Sequence, residues 1–187
     1  DTTIDQIDSD HFQFEVYKSL NPNYFKDLNH LNKAVSALDS DHFKSELLSP
    51  IFKTNVMEGK GKESIQLIKM LESDHFKTEI AKNISFSSLS NQDLKFMVDE
   101  LVPAIDSDHF KNELLKTAFD NGNMNEARSL IILDGVQQID SDHFKSELLI
   151  YLCKKQGSDK VKAKILETAK NTINSSHFFG EVARCAS

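Results

Sequence analysis

The chain has 187 residues, of which 39% are hydrophobic and 27% charged, and it carries a net charge of −7 at pH 7. That acidic balance argues against a nucleic-acid partner, because broad binding to a phosphate backbone needs Lys and Arg to displace counterions. No apolar run reaches the roughly 18 residues of a spanning helix, so no membrane insertion is expected. No phosphate-binding glycine loop, nucleophile elbow or His-Glu-x-x-His pair is present, so neither a catalytic residue nor a cofactor is predicted.

One short phrase organises everything else. It reads Ser9-Asp10-His11-Phe12, Ser40-Asp41-His42-Phe43, Ser73-Asp74-His75-Phe76, Ser107-Asp108-His109-Phe110 and Ser141-Asp142-His143-Phe144, with a decayed sixth copy at Ser175-Ser176-His177-Phe178. The starts are 31, 33, 34, 34 and 34 residues apart. A fixed period in this range marks units that bury their apolar faces against their neighbours.

In chain order, Asp1 to Asp8 read as the tail of a helix whose beginning is missing. A first helix then starts at each copy of the phrase. With the motif Ser as zero, position −2 is Ile7, Leu38, Leu71, Ile105, Ile139 or Ile173. Apolar residues at +3, +7, +8 and +11 follow helical spacing. The Ser is a natural N-cap, and Asp at +1 with an acid at −1 places negative charge at the positive end of the helix dipole. Asp and His are further expected to bond the neighbouring copy at the tight corner, Phe to pack in the core or the seam between copies, and Lys at +4 (Lys44, Lys77, Lys111, Lys145) to face solvent.

Each first helix, about four turns long, ends in a stretch rich in Gly, Asn and Ser. These are Asn21-Pro22-Asn23, Glu58 to Lys62 with Gly59 and Gly61, Ser85 to Asn91, Asp120-Asn121-Gly122-Asn123, and Gln156-Gly157-Ser158. A second helix follows. It is predicted over Asn91 to Ile105, with Leu94, Met97, Val98, Leu101 and Val102 apolar and Pro103 shortening its end. The next is predicted over Met124 to Gln138, on a face of Ala127, Leu130, Ile131, Val136 and Ile139. The cluster Lys154, Lys155, Lys160, Lys162 and Lys164 reads as a solvated helix face and loop.

The expected fold is all-α: a right-handed αα-superhelix, or solenoid, of about five stacked hairpins and about eleven helices, forming one domain over residues 1–187. Beginning at Asp1 and closing on an unpaired helix with Phe178-Phe179, the chain reads as part of a longer protein.

Glu at +6 stands four residues after His in every copy (Glu15, Glu46, Glu79, Glu113, Glu147 and Glu181). The pairs His42–Glu46, His75–Glu79, His109–Glu113 and His143–Glu147 are where a metal would be sought. Equivalent residues on successive copies should lie roughly 10 Å apart, since packed helices sit 8–10 Å from one another, and one pair offers two ligands where structural zinc usually takes four. No metal site is therefore predicted. Cys153 and Cys185, at +12 and +10 of the last two copies, fit no metal or redox motif and would fall on adjacent helices. They read as two idle thiols, a disulfide being the alternative.

The period equals that of tetratricopeptide repeats and approaches that of HEAT repeats, but the signatures of both families are missing. The phrase Ile139 to Leu149, Ile-Asp-Ser-Asp-His-Phe-Lys-Ser-Glu-Leu-Leu, resembles helical repeats of bacterial proteins built on an apolar–x–Ser-Asp–aromatic pattern, found beside sensor or envelope modules. The resemblance implies an αα-solenoid and carries no catalytic residue. It leaves a periplasmic or envelope location and a cytoplasmic one both open.

These readings give a protein-interaction scaffold with a protein partner, or other domains of the same protein, on a face the sequence does not identify. Two alternatives remain: an immunity- or inhibitor-type protein with a single tight partner, and a His/Glu array responsive to metal or pH.

Overall fold

The structure is a computed structural model that describes residues 9–54, 57–155 and 158–186. The segment Asp1 to Asp8, read as a helix tail, and Gln156-Gly157 lie outside the described residues. Eleven α-helices and no strand occur among the described residues. The chain divides into two compact units, Asp1–Ile84 and Ser85–Ser187.

Every copy of the phrase opens a helix. In the first unit these are α1 (Asp10–Ser19), α3 (Asp41–Phe52) and α5 (Asp74–Ala81), alternating with α2 (Leu28–Ala37) and α4 (Gly61–Lys69). α3 packs against both α1 and α5, so the three phrase-bearing helices lie side by side. Leu48, Ile65, Ile68 and the −2 residues Leu38 and Leu71 are buried here. Each such side chain contributes about 1.5–3 kcal/mol relative to exposure.

In the second unit the phrase opens α7 (Asp108–Asn121), α9 (Asp142–Lys155) and α11 (Ser176–Ala186). Between them come α6 (Asn91–Phe96), α8 (Glu126–Asp134) and α10 (Asp159–Thr172). α9 packs on α7 and α11, while α8 packs on α6 and α10, which gives two layers. α6 continues as a π-turn over Met97–Leu101. It ends just ahead of Pro103, whose ring and missing N–H stop the ladder as expected. Leu94, Met97, Val98, Leu101 and Val102 are all buried.

The buried face of α8 differs from the predicted one. Ala127 is exposed and Leu130 and Ile131 are half-buried. Arg128, Ser129, Ile132 and Leu133 face inward instead. The cause is Arg128, whose guanidinium donates to the carbonyls of Phe86 and Leu89, both at 2.8 Å, and to Asn91 Oδ1 at 3.3 Å. These bonds hold the 85–91 loop against α8 and rotate the helix toward it. Burial pushes the Arg128 pKa down.

The connecting stretches carry the side-chain caps. Asp27 accepts from the Asn29 N–H, Ser90 from Asp93 and Asn125 from Arg128. Gly59 at φ 71° and Asn123 at φ 48° take the left-handed turns that such residues tolerate.

Candidate interaction surface

The phrase serves two separate purposes. Its Asp and Lys build corners between successive helices, and its His, Phe and following Glu form an exposed row.

The corner has the same geometry at four junctions. Asp10 accepts from the backbone N–H groups of Asp39 and Ser40 at 2.8 and 2.9 Å. Asp41 accepts from Glu72 and Ser73 at 2.8 and 2.6 Å. Asp108 accepts from Asp140 and Ser141, and Asp142 from Asn174 and Ser175. A carboxylate on one helix thus satisfies two backbone donors at the entry to the next.

The motif Ser occupies the N-cap in extended conformation, yet the hydroxyls of Ser9, Ser40 and Ser73 make no capping bond. These hydroxyls therefore do not form the expected cap. The backbone N–H of Ser40, Ser73, Ser141 and Ser175 goes instead to the Asp of the previous copy, and each carbonyl accepts the N–H four residues on, as in Lys44 to Ser40 at 3.0 Å.

Lys at +4 does not face solvent. Lys44, Lys77, Lys111 and Lys145 are 7–9% exposed. Each lies 3.6–3.8 Å from the Asp three residues before it. Lys44 also donates to the Met70 carbonyl at 3.3 Å and Lys145 to the Thr172 carbonyl at 2.8 Å. In these two the ammonium meets a carbonyl at the end of the helix that leads to the next copy. The sequence could not place those carbonyls, which stand 26 and 27 residues away.

Phe at +3 lies in the seam between copies and not in the core. Phe43, Phe76, Phe110, Phe144 and Phe178 are half-buried, and Phe12 is 63% exposed. The motif His of one copy leans on the Phe of the next, with ring centroids 5.7 Å apart for His11–Phe43 and 6.3 Å for His42–Phe76. The second unit repeats this at 6.0 Å for His109–Phe144 and 5.7 Å for His143–Phe178. The core below is filled instead from +7 and +8, by Leu47, Leu48, Ile80, Leu114, Leu115, Leu148 and Leu149.

Glu at +6 shares this surface but has no constant partner. Glu46 lies 3.6 Å from His42 and Glu181 3.7 Å from His177, whereas Glu79 pairs with Lys82 at 2.6 Å. Glu147 accepts from Asn112 at 3.0 Å and from Lys116 at 2.6 Å. The Lys116 bond holds the Glu147 carboxyl below the usual carboxylate range against the opposing effect of burial. Among the described residues no three His, Cys, Asp or Glu side chains converge to hold a metal.

A cluster that sequence reading missed lies farther along the same face of the second unit. Tyr151 donates its hydroxyl to Asp120, and the Asp120 carboxylate also takes the Lys155 ammonium at 2.7 Å. Lys116 and Lys155 stand 5.2 and 4.7 Å from the Tyr151 ring centre. Burial raises the Asp120 pKa, but the Lys155 and Tyr151 bonds outweigh it and leave the carboxyl lowered. The signal available was position: Tyr151 at +10 lies beside +9 and +13 of the preceding copy, both polar. The lysine cluster is likewise paired with carboxylates, as in Lys160–Glu126 at 2.9 Å and Lys164–Glu167 at 3.2 Å.

Cys153 and Cys185 are bonded as a disulfide, with Cα atoms 6.3 Å apart, which replaces the idle-thiol reading. The bond ties α9 to α11. Comparison of the chain with protein-family models, curated proteins and solved structures returns no match.

Proposed function

We propose that the chain is a non-enzymatic protein-interaction scaffold, an αα-solenoid that presents its phrase-bearing helices to a protein partner. One observation carries the reading. The exposed face of these helices divides into a constant row at +2, +3 and +6 and a variable row at +9 and +10. The variable row holds Lys18, Ser49, Lys82, Lys116 and Ile150, with Pro50 and Tyr151 beside them. Unlike residues on a regular frame are how repeat surfaces gain specificity. The Cys153–Cys185 bond supports work in an oxidising compartment, where disulfides persist.

The test is site-specific photo-crosslinking in native extract. Crosslinker placed at Ser49 or Ile150 on the variable row should capture one partner protein, while crosslinker at the exposed Lys33 of α2 or Leu166 of α10 should not. Equal capture from both sets, or none from the first, removes the reading.

A further inference from the structure

We propose that the first unit holds a binding site for a small, neutral, single-ring aromatic compound, in the cavity between the C-terminal halves of α1 and α3.

The cavity has a volume of about 120 Å³. Its walls come from three elements: Phe14 and Tyr17 of α1, Phe25 of the short 3-10 turn Pro22–Lys26, and Leu47, Pro50 and Ile51 of α3. Phe14, Tyr17, Phe25, Leu47 and Ile51 are 2–5% exposed, so the lining is in place without any closing movement. Phe14 is further fixed by stacking on Phe43, with ring centres 5.0 Å apart.

The repeat by itself does not account for this cavity. Grooves also lie along later seams, but their linings are polar, with Ser45, Glu79 and Lys82 in one and Ser146, Glu147 and Lys154 in another. The first seam differs because three residues depart from the frame. At +5 the other copies carry Ser45, Thr78, Asn112, Ser146 and Gly180, where the first carries Phe14. At +8 they carry Leu or Ala, where the first carries Tyr17. At +10 the second copy alone carries Pro, and Pro50 stands inside α3, where it forfeits a backbone hydrogen bond. All three departures meet on this one cavity.

Size, lining and charge select the occupant. An engineered cavity of about 150 Å³ with aliphatic and aromatic walls takes benzene, so a volume of this order has room for one six-membered ring. Apolar walls give water too few hydrogen-bond partners to compete. Aromatic walls on two sides favour a ring over a saturated molecule of the same size, because offset and edge-on ring pairs add attraction beyond the area they bury. The charged side chains on the lining are Lys18 and Glu46, one of each sign. The Lys18 ammonium lies 5.1 Å from the Phe14 ring centre, and Glu46 lies 3.6 Å from His42. Neither sign of ligand is favoured by this pair, and a charged ligand would lose its hydration against the apolar walls.

The experiment is methyl NMR of the full chain titrated with toluene. Signals of Leu20, Leu47 and Ile51 should shift saturably, while those of Leu148 and Leu149 in the second unit stay in place. Cyclohexane should bind about three- to tenfold more weakly, the margin that ring–ring contact supplies. Benzoate and benzylamine should each bind about tenfold more weakly or worse, because their charge is desolvated. Leu20→Phe fills the cavity from its half-buried edge and should abolish the saturable shifts at toluene concentrations that saturate the parent chain, with the thermal midpoint nearly unchanged. If that variant does not fold, Thr54→Phe at the exposed rim serves, with the same expectation. Absence of saturable shifts at Leu47 and Ile51 overturns the proposal. Shifts spread equally over both units would show simple partition into the core and overturn it too. So would equal binding of cyclohexane, benzoate or benzylamine, or undiminished toluene binding by the filled variant.

Discussion

The carboxylate of Asp41, at the start of α3, accepts the backbone N–H of Ser73 at 2.6 Å, 32 residues further along the chain and at the entry to α5. The same oxygen takes the Glu72 N–H at 2.8 Å. A helix entry has donors that no intrahelical carbonyl can reach, and here they are satisfied from the preceding copy. At four such entries, two in each unit, the helix is thus positioned by its predecessor.

Asp41→Ala should therefore cost about 2–3 kcal/mol, since two backbone donors lose a charged acceptor and Lys44 loses its counterion. Asp41→Asn should cost less, because the amide oxygen still accepts. Urea unfolding followed by circular dichroism measures both. A loss under about 0.5 kcal/mol for the Ala variant, the range of an ordinary surface change, would contradict the corner geometry.

Lys145→Met should destabilise by about 1 kcal/mol, through loss of the bond to the Thr172 carbonyl, while the stem keeps its packing. Lys145→Glu should cost more, because it sets a second carboxylate beside Asp142. Lys170→Met, at an exposed site on α10, is the comparison and should be near neutral. The same unfolding assay ranks the three.

Reduction of Cys153–Cys185 should loosen α11 first, because among its residues only Val182 is fully buried. The bond closes 32 residues of chain separation, which in the chain-entropy model corresponds to about 3–4 kcal/mol. Hydrogen exchange with and without reductant should show protection lost over residues 176–186 while α7 stays protected. Uniform loss across the second unit would show instead that α11 does not open separately.

The Asp120 and Glu147 pairs predict a small acid dependence. Both carboxyls are held below their ordinary values in the folded chain. Their contribution is therefore present above the unfolded pKa, near 4, and is lost as pH falls through the lowered folded value. Asp120→Asn with Glu147→Gln should lower the thermal midpoint at pH 7 and leave it nearly unchanged near pH 2. An equal shift at both pH values would assign the effect to packing.

Arg128→Met should cost about 2–4 kcal/mol, because the buried carbonyls of Phe86 and Leu89 both lose a charged donor. Limited proteolysis should then cut the 85–91 loop, which is held in place by those bonds.

Sequence by itself determined the helical register. The recurring Ser-Asp-His-Phe marks helix starts at Asp10, Asp41, Asp74, Asp108 and Asp142, and the helices begin there. The −2 residues Leu38, Leu71, Ile105 and Ile139 are buried as their spacing required. Both follow from local chemistry, since periodicity and Gly- or Asn-rich stops act over a few residues of chain. Tertiary structure decided what lay beyond that reach. Lys44 and Lys145 each face a carbonyl 26 or 27 residues away, which local sequence cannot place, and most of the motif Phe rings stay half-buried in the seam because the residues at +7 and +8 fill the core. Arg128 turns α8 toward carbonyls about 40 residues earlier in the chain, against the face its apolar spacing indicated. The offsets of Cys153 and Cys185 already put them on neighbouring helices, but only the packing of α9 on α11 brings the two sulfurs together.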